Sequence, residues 1–183
     1  TTRASVERVV SGPGILSIYE FLNITYPKQS NIKVSKEISI ARDLKPAVIA
    51  KNTNNCKNCK LTMEIFMTHY GCEAGVAACK WIPKGGLYLT GGITQKNIKL
   101  LSNASDTDDG HFMKAFEDKG RLSSVVTDIP LFAVLVEDLG ERGAHWCAFQ
   151  QLHPEADCAG KAYFISQGEP WKIKDQDGYI TQK

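Results

Sequence analysis

Gly86-Leu-Tyr-Leu-Thr-Gly-Gly-Ile93 is a short apolar run closed by two glycines, and a helical pattern follows it from about Gln95 to Ser102. A strand feeding a helix through a glycine turn is the opening of a βα crossover unit. Upstream, Cys59 to Trp81 repeats apolar residues every three or four positions (Met63, Phe66, Tyr70, Ala74, Ala77, Trp81), which predicts a long core helix closed by Pro83 and Gly85-Gly86. Downstream, Phe112 to Asp118 and Arg121 to Val126 read as short helices. Leu131-Phe-Ala-Val-Leu-Val136 reads as a central strand, and about Leu139 to Leu152 as another helix. Strand, helices, strand, helix in that order predicts an α/β fold of parallel strands joined by crossover helices.

Nearer the start, Ser5 reads as the N-cap of a short helix through Val10. Gly12-Pro13-Gly14 then reads as a break, followed by a second helix from Ile15 to Leu22. The stretch from Asn23 to Leu44 is polar and weakly patterned and reads as a surface excursion, and Lys45 to Lys51 as a short helix. Residues 1–152 form the main unit and residues 153–183 an appended tail, packed or partly disordered, with a candidate strand at Ala162-Tyr-Phe-Ile165.

A chain of 183 residues with 43 % hydrophobic side chains can bury a core of its own. The 22 basic and 20 acidic residues are mixed along it and leave a formal charge of +2, so no basic stripe marks a nucleic-acid or membrane-surface partner. Its best apolar run, Leu131 to Val136, is far short of the roughly 18 residues that span a bilayer. The chain opens on Thr1 instead of Met, which suggests an upstream start. Six cysteines in a chain of this size read as reduced thiols. Cys56 and Cys59 have knuckle spacing, but zinc needs four ligands and no second pair exists, so no metal site is expected. His69, His111, His145 and His153 lack the spacing of a metal triad or a nucleophile's partner. Two N-x-S/T triplets, at Asn23 and Asn103, carry little weight.

Two places remain where ligand chemistry fits the residues. Glu7 lies just ahead of the glycine-rich Gly12-Pro13-Gly14 elbow. A carboxylate accepts two sugar hydroxyls at once, although a charge in the first turn of a helix equally complements its dipole, and spacing alone favours that plainer reading. Gly91 and Gly92 sit at the carboxyl end of a strand, where α/β sheets bind ligands; a tight turn needing positive φ explains them equally well.

Four ordered blocks add to this: Ser5-Val-Glu-Arg-Val-Val-Ser-Gly-Pro-Gly-Ile15, Gly85-Gly-Leu-Tyr-Leu-Thr-Gly-Gly-Ile93, Ala115-Phe-Glu-Asp-Lys-Gly-Arg121 and Asp128-Ile-Pro130. Together they resemble the bacterial-type glucokinase family, over about Val6 to Gln150. The resemblance implies the large lobe of an actin-like ATPase/hexokinase-type fold, acting in the cytoplasm to phosphorylate the 6-hydroxyl of glucose with ATP and Mg2+, and a homodimer as a family expectation. It implies that Glu7 contacts glucose and that Gly91 and Gly92 lie on the adenosine side. Leu139-Gly-Glu-Arg-Gly-Ala144 replaces the family's glycine-and-leucine loop, and Glu141 and Arg142 depart from it. The family's Asp-x-Gly-Gly-Thr phosphate turn, Asn-Asp catalytic pair and Glu-Gly-Gly-His sugar motif belong upstream of Val6 and are missing, so this carboxyl-terminal half is expected to hold no catalytic residue. The alternatives are a non-catalytic sugar sensor on the same lobe, for which no DNA-binding motif is visible, and a zinc-stabilised interaction module.

Overall fold

The structure, a computed structural model, describes residues 4–101, 110–136 and 138–152 and three short strands between 165 and 181. Asn103, His153, Cys158 and the first residues of the Ala162–Ile165 candidate strand lie outside the described residues.

The break expected at Gly12-Pro13-Gly14 is instead a helix start: α1 runs Gly12–Thr25 with Pro13 in its first turn. Proline belongs there because its missing N–H is one of the helix's unpaired donors in any case. The cap is Ser11, whose Oγ accepts the Gly14 N–H at 2.9 Å, whereas Ser5 makes no capping bond and is followed only by a 3-10 turn, Val6–Arg8. Gly14 is required by contact: a Cβ there would lie 2.2 Å from the Val9 carbonyl oxygen.

The supposed surface excursion contains α2, Ile32–Ile40. Asn31 caps it by accepting from the Lys33 and Val34 amides, and Val34 and Ile38, one turn apart, are its buried residues. The short helix α3, Lys45–Lys51, falls where the sequence places it and buries Ile49. Next comes α4, Lys57–Trp81, the spine of the structure. Phe66 and Cys59 on it are fully buried, and Ile82 in the left-handed region closes it, ahead of Pro83. Buried Asn58 at its head donates to the Leu22 and Tyr26 carbonyls and to Asn23 Oδ1, satisfying the carboxyl end of α1.

Strand β1, Leu87–Leu89, is only partly buried despite its apolar sequence: Tyr88 between two half-buried leucines is 54 % exposed. Helix α5, Gly92–Lys96, begins directly on the second glycine, three residues before the pattern suggests, and α6 covers Ile98–Leu101. The pieces α7, His111–Glu117, and α8, Ser123–Thr127, match the two predicted short helices. Lys119 Nζ donates to the Ala115 and Asp118 carbonyls at the carboxyl end of α7, and Gly120 turns the chain with φ +56°. Strand β2, Leu131–Val134, then runs parallel to β1, pairing Leu87 with Leu131 and Leu89 with Ala133. Helix α9 covers Leu139–Leu152 and buries no residue. In the last stretch β3, Ile165–Ser166, pairs antiparallel with β4, Glu169–Pro170, and β5, Tyr179–Thr181, adds to the free edge of β2, for a sheet order β1-β2-β5. The fold is therefore α/β with a parallel pair joined through helices, as the element order predicts.

The main core lies where α4 meets α1 on one side and α7 on the other. Two glycines let α7 lie against α4: a Cβ on Gly71 would meet the Phe112 carbonyl oxygen at 2.1 Å, and one on Gly75 would meet the Phe116 carbonyl oxygen at 2.4 Å. The rings of Phe66, Tyr70, Phe112 and Phe116 fill the space between the helices, with Tyr70 edge-on to Phe112 at 5.2 Å.

Candidate functional site

Glu7 sits in the 3-10 turn just before α1, exposed, and its carboxylate takes part in no ion pair among the described residues. What the turn fixes is its backbone. Ser11 Oγ donates to the Glu7 carbonyl at 2.6 Å while accepting from Gly14, so one hydroxyl ties the Glu7 turn to the first turn of α1. Sequence reasoning had one clue to Ser11, the Ser-Gly-Pro order that places a hydroxyl just ahead of a first-turn proline.

The two glycines differ. Gly91 adopts φ +96°, so the turn itself favours glycine there. Gly92 is the first residue of α5 and is not in the positive-φ region, and a Cβ on it would meet nothing within 4 Å. Among the described residues, neither backbone strain nor a neighbouring group accounts for glycine at 92. It leaves an open stretch of main chain on which a flat ligand can rest. Buried Thr94 holds the loop from below: its Oγ1 donates to the Thr90 carbonyl at 3.2 Å and lies 2.8 Å from the Tyr70 hydroxyl on α4.

A cleft of about 500 Å³ brings the two regions together. Gly12 at the start of α1, Pro46, Ala47 and Ala50 of α3, and Gly92, Ile93 and Lys96 of α5 line it, together with Asp43 and Lys51. Glu7 is not among the lining residues; it lies five positions before Gly12, in the turn that Ser11 ties to α1. A somewhat larger cavity of about 560 Å³ sits at the head of α4, around Asn54, Lys57, Lys60 and His111, and contains none of the predicted site residues.

Among the described residues no group of three His, Cys, Asp or Glu side chains could hold a metal ion. Cys56 and Cys59 are buried free thiols, and burial pushes the Cys59 thiol well above its ordinary range, with Cys56 beside it adding to the shift. His69 hydrogen-bonds the Ile65 carbonyl within its own helix. Glu141 is exposed in the first turn of α9, and Arg142 pairs with Asp138 at 2.8 Å, one turn back. That pairing holds the Asp138 carboxyl below the usual carboxylate range.

The parallel pair, its helical crossover and the glycine loop at a strand end fit the hexokinase-type α/β fold. Within that class the chain belongs to the glucokinase family, whose sequence profile matches residues 1–151. It is 41 % identical over 162 residues to a glucokinase of Synechocystis sp., covering 81 % of this chain and 43 % of that protein. A glucokinase of Trichormus variabilis is 34 % identical over 157 residues, which are 80 % of this chain and 44 % of the relative. The crystal structure of a glucokinase from an Antarctic psychrotroph shares the fold with a TM-score of 0.57 at 24 % identity, over 81 % of this chain and 41 % of that one. The chain thus spans less than half the length of the relatives it matches.

Proposed function

We propose that this chain is the carboxyl-terminal, large-lobe part of a cytoplasmic glucokinase that transfers the terminal phosphoryl group of Mg-ATP to the 6-hydroxyl of glucose. In this reading Glu7 accepts hydrogen bonds from two glucose hydroxyls, and Gly91-Gly92 carries the nucleoside. Phosphoryl transfer depends on placing the hydroxyl in line with the phosphate and on neutralising the charge that develops. In this reading the Glu7 turn and the Gly91-Gly92 loop contribute the placing, with Gly12 and Gly92 lining a common cleft. The base that takes the hydroxyl proton and the amides that hold the phosphates belong to sequence upstream of Val6, so residues 1–183 alone are expected to bind without turning over.

The observation that carries the reading is Gly92, a glycine that neither its φ nor any neighbour among the described residues requires, in the lining of a cleft that also includes Gly12 of the glycine-rich elbow. Family membership supplies the reaction. A coupled assay of ADP release by the polypeptide that carries these residues together with the upstream phosphate turn tests it. Release should saturate with glucose; ATP turnover indifferent to glucose sinks the proposal. A homodimer completes the reading, and sedimentation of the same polypeptide checks it.

A further inference from the structure

Thr90 and Thr94 bracket the glycine loop, and Thr94 Oγ1 donates across it to the Thr90 carbonyl at 3.2 Å. A threonine hydroxyl has one proton, and a carbonyl can only accept, so that proton is committed. The second contact of Thr94 Oγ1, at 2.8 Å to the Tyr70 hydroxyl, must then be one in which Tyr70 donates. Proton direction along Tyr70 to Thr94 to Thr90 is therefore fixed, and the loop is tied through one relay to the middle of α4.

The anchor is rigid at both ends. Thr94 is fully buried, and the Tyr70 ring packs against Phe66 and edge-on against Phe112. Burial raises the Tyr70 phenol above its ordinary range, so it stays protonated and able to donate across the working pH range. Gly91 and Gly92 are exposed and carry no side chains, and besides the relay the Gln95 amide donates to the Gly91 carbonyl at 3.3 Å.

We propose that Tyr70 and Thr94 are positioning residues for nucleotide binding, setting the height and tilt of the Gly91-Gly92 backbone through the Thr90 carbonyl without touching the ligand. This rests on the reading of that loop as the nucleoside wall. Without the relay the loop samples other heights, and binding must select the competent one, which raises the apparent nucleotide requirement and leaves the sugar side alone.

The test uses the full-length enzyme and measures the KM for ATP, the KM for glucose, kcat and the thermal midpoint of Tyr70→Phe, Thr94→Val and Thr94→Ser. Tyr70→Phe keeps the ring and removes only the hydroxyl. It should raise the KM for ATP about fivefold, the equivalent of one ordinary hydrogen bond, with glucose KM and kcat nearly unchanged. Thr94→Val should do at least as much, and Thr94→Ser, which keeps the hydroxyl, should restore the wild-type value. A lower thermal midpoint with an unmoved ATP KM in both Tyr70→Phe and Thr94→Val makes the relay merely structural and overturns the proposal. If Gly92→Val also leaves the ATP KM unmoved, the loop assignment beneath it has failed as well; absence of any glucose-dependent ADP release from the wild type overturns the kinase reading and the proposal together.

Discussion

Gly71→Ala on α4 adds one methyl group at the tightest point of the core. The new Cβ would stand 2.1 Å from the Phe112 carbonyl oxygen and 2.9 Å from its carbon. That is roughly 1.3 Å short of ordinary contact, and the obstacle is backbone, which cannot swing aside as a side chain does. Nor can α7 tilt away freely, because the Phe112 ring is fully buried against Tyr70 and Phe116. Overpacking of this kind costs about 1–3 kcal/mol, and more where nothing yields. Alanine offsets about 1 kcal/mol of that through its better helix propensity. The net loss should be about 2 kcal/mol, which in a chain of this size lowers the thermal midpoint by about 4–8 °C. Circular dichroism at 222 nm through a thermal ramp measures it. Gly143→Ala on α9, where nothing lies within 4 Å of the new methyl, serves as the control and should lose nothing. A Gly71→Ala protein as stable as the control refutes the close packing of α4 on α7.

Gly92→Val should weaken ATP about 5- to 150-fold, the range of a steric misfit, while the thermal midpoint stays within a degree or two because the added Cβ meets no described residue within 4 Å; unchanged nucleotide affinity counts against the loop. Iodoacetamide near pH 8 should alkylate exposed Cys72 and Cys147 first and reach Cys56 and Cys59 only on unfolding, since burial keeps Cys59 in its thiol form. Labelling of native Cys59 at the rate of Cys72 contradicts that burial. The Asp138 carboxyl is depressed by its hydrogen bond to Arg142, so the stabilisation it lends the start of α9 is complete above the usual carboxylate range and fades as the pH falls through the lowered value. An NMR titration should follow Asp138 back toward the ordinary range in Arg142→Ala, and no change there would remove the pair from consideration.

The elements legible in the sequence are those whose patterns are strong. The periodic segment from Cys59 to Trp81 marks α4 to within two residues at its start, and β2 and α9 begin where their runs begin. Helix α2 is obscured because only Val34 and Ile38 face the core, while Ile32 and Ile40 are exposed and blur the periodicity. Gly12-Pro13-Gly14 misleads for a different reason. Glycine and proline are breakers inside a helix but suit its first turn, and only the Ser11 cap ahead of them tells the two cases apart.

The candidate site divides in the same way. Local spacing leaves Glu7 a helix-start charge, and the proposal that it contacts glucose comes from the resemblance carried by the four ordered blocks. The structure adds that Glu7 is exposed and outside the helix proper, in a 3-10 turn stapled by Ser11. The contact between Tyr70 and Thr94 is invisible to any local pattern, because a contact across 24 residues depends on how α5 settles against α4.

The central claim is a division of labour, with the sugar on the Glu7 side and the nucleoside on the Gly91-Gly92 side. The KM for glucose and the KM for ATP of Glu7→Gln, measured together in the full-length enzyme, test it most directly. Loss of a hydrogen bond to a charged group is worth about 1.5–3 kcal/mol, so the glucose KM should rise roughly 10- to 150-fold while the ATP KM stays at its wild-type value. A glucose KM left unchanged, or an ATP KM that rises in step with it, contradicts the account.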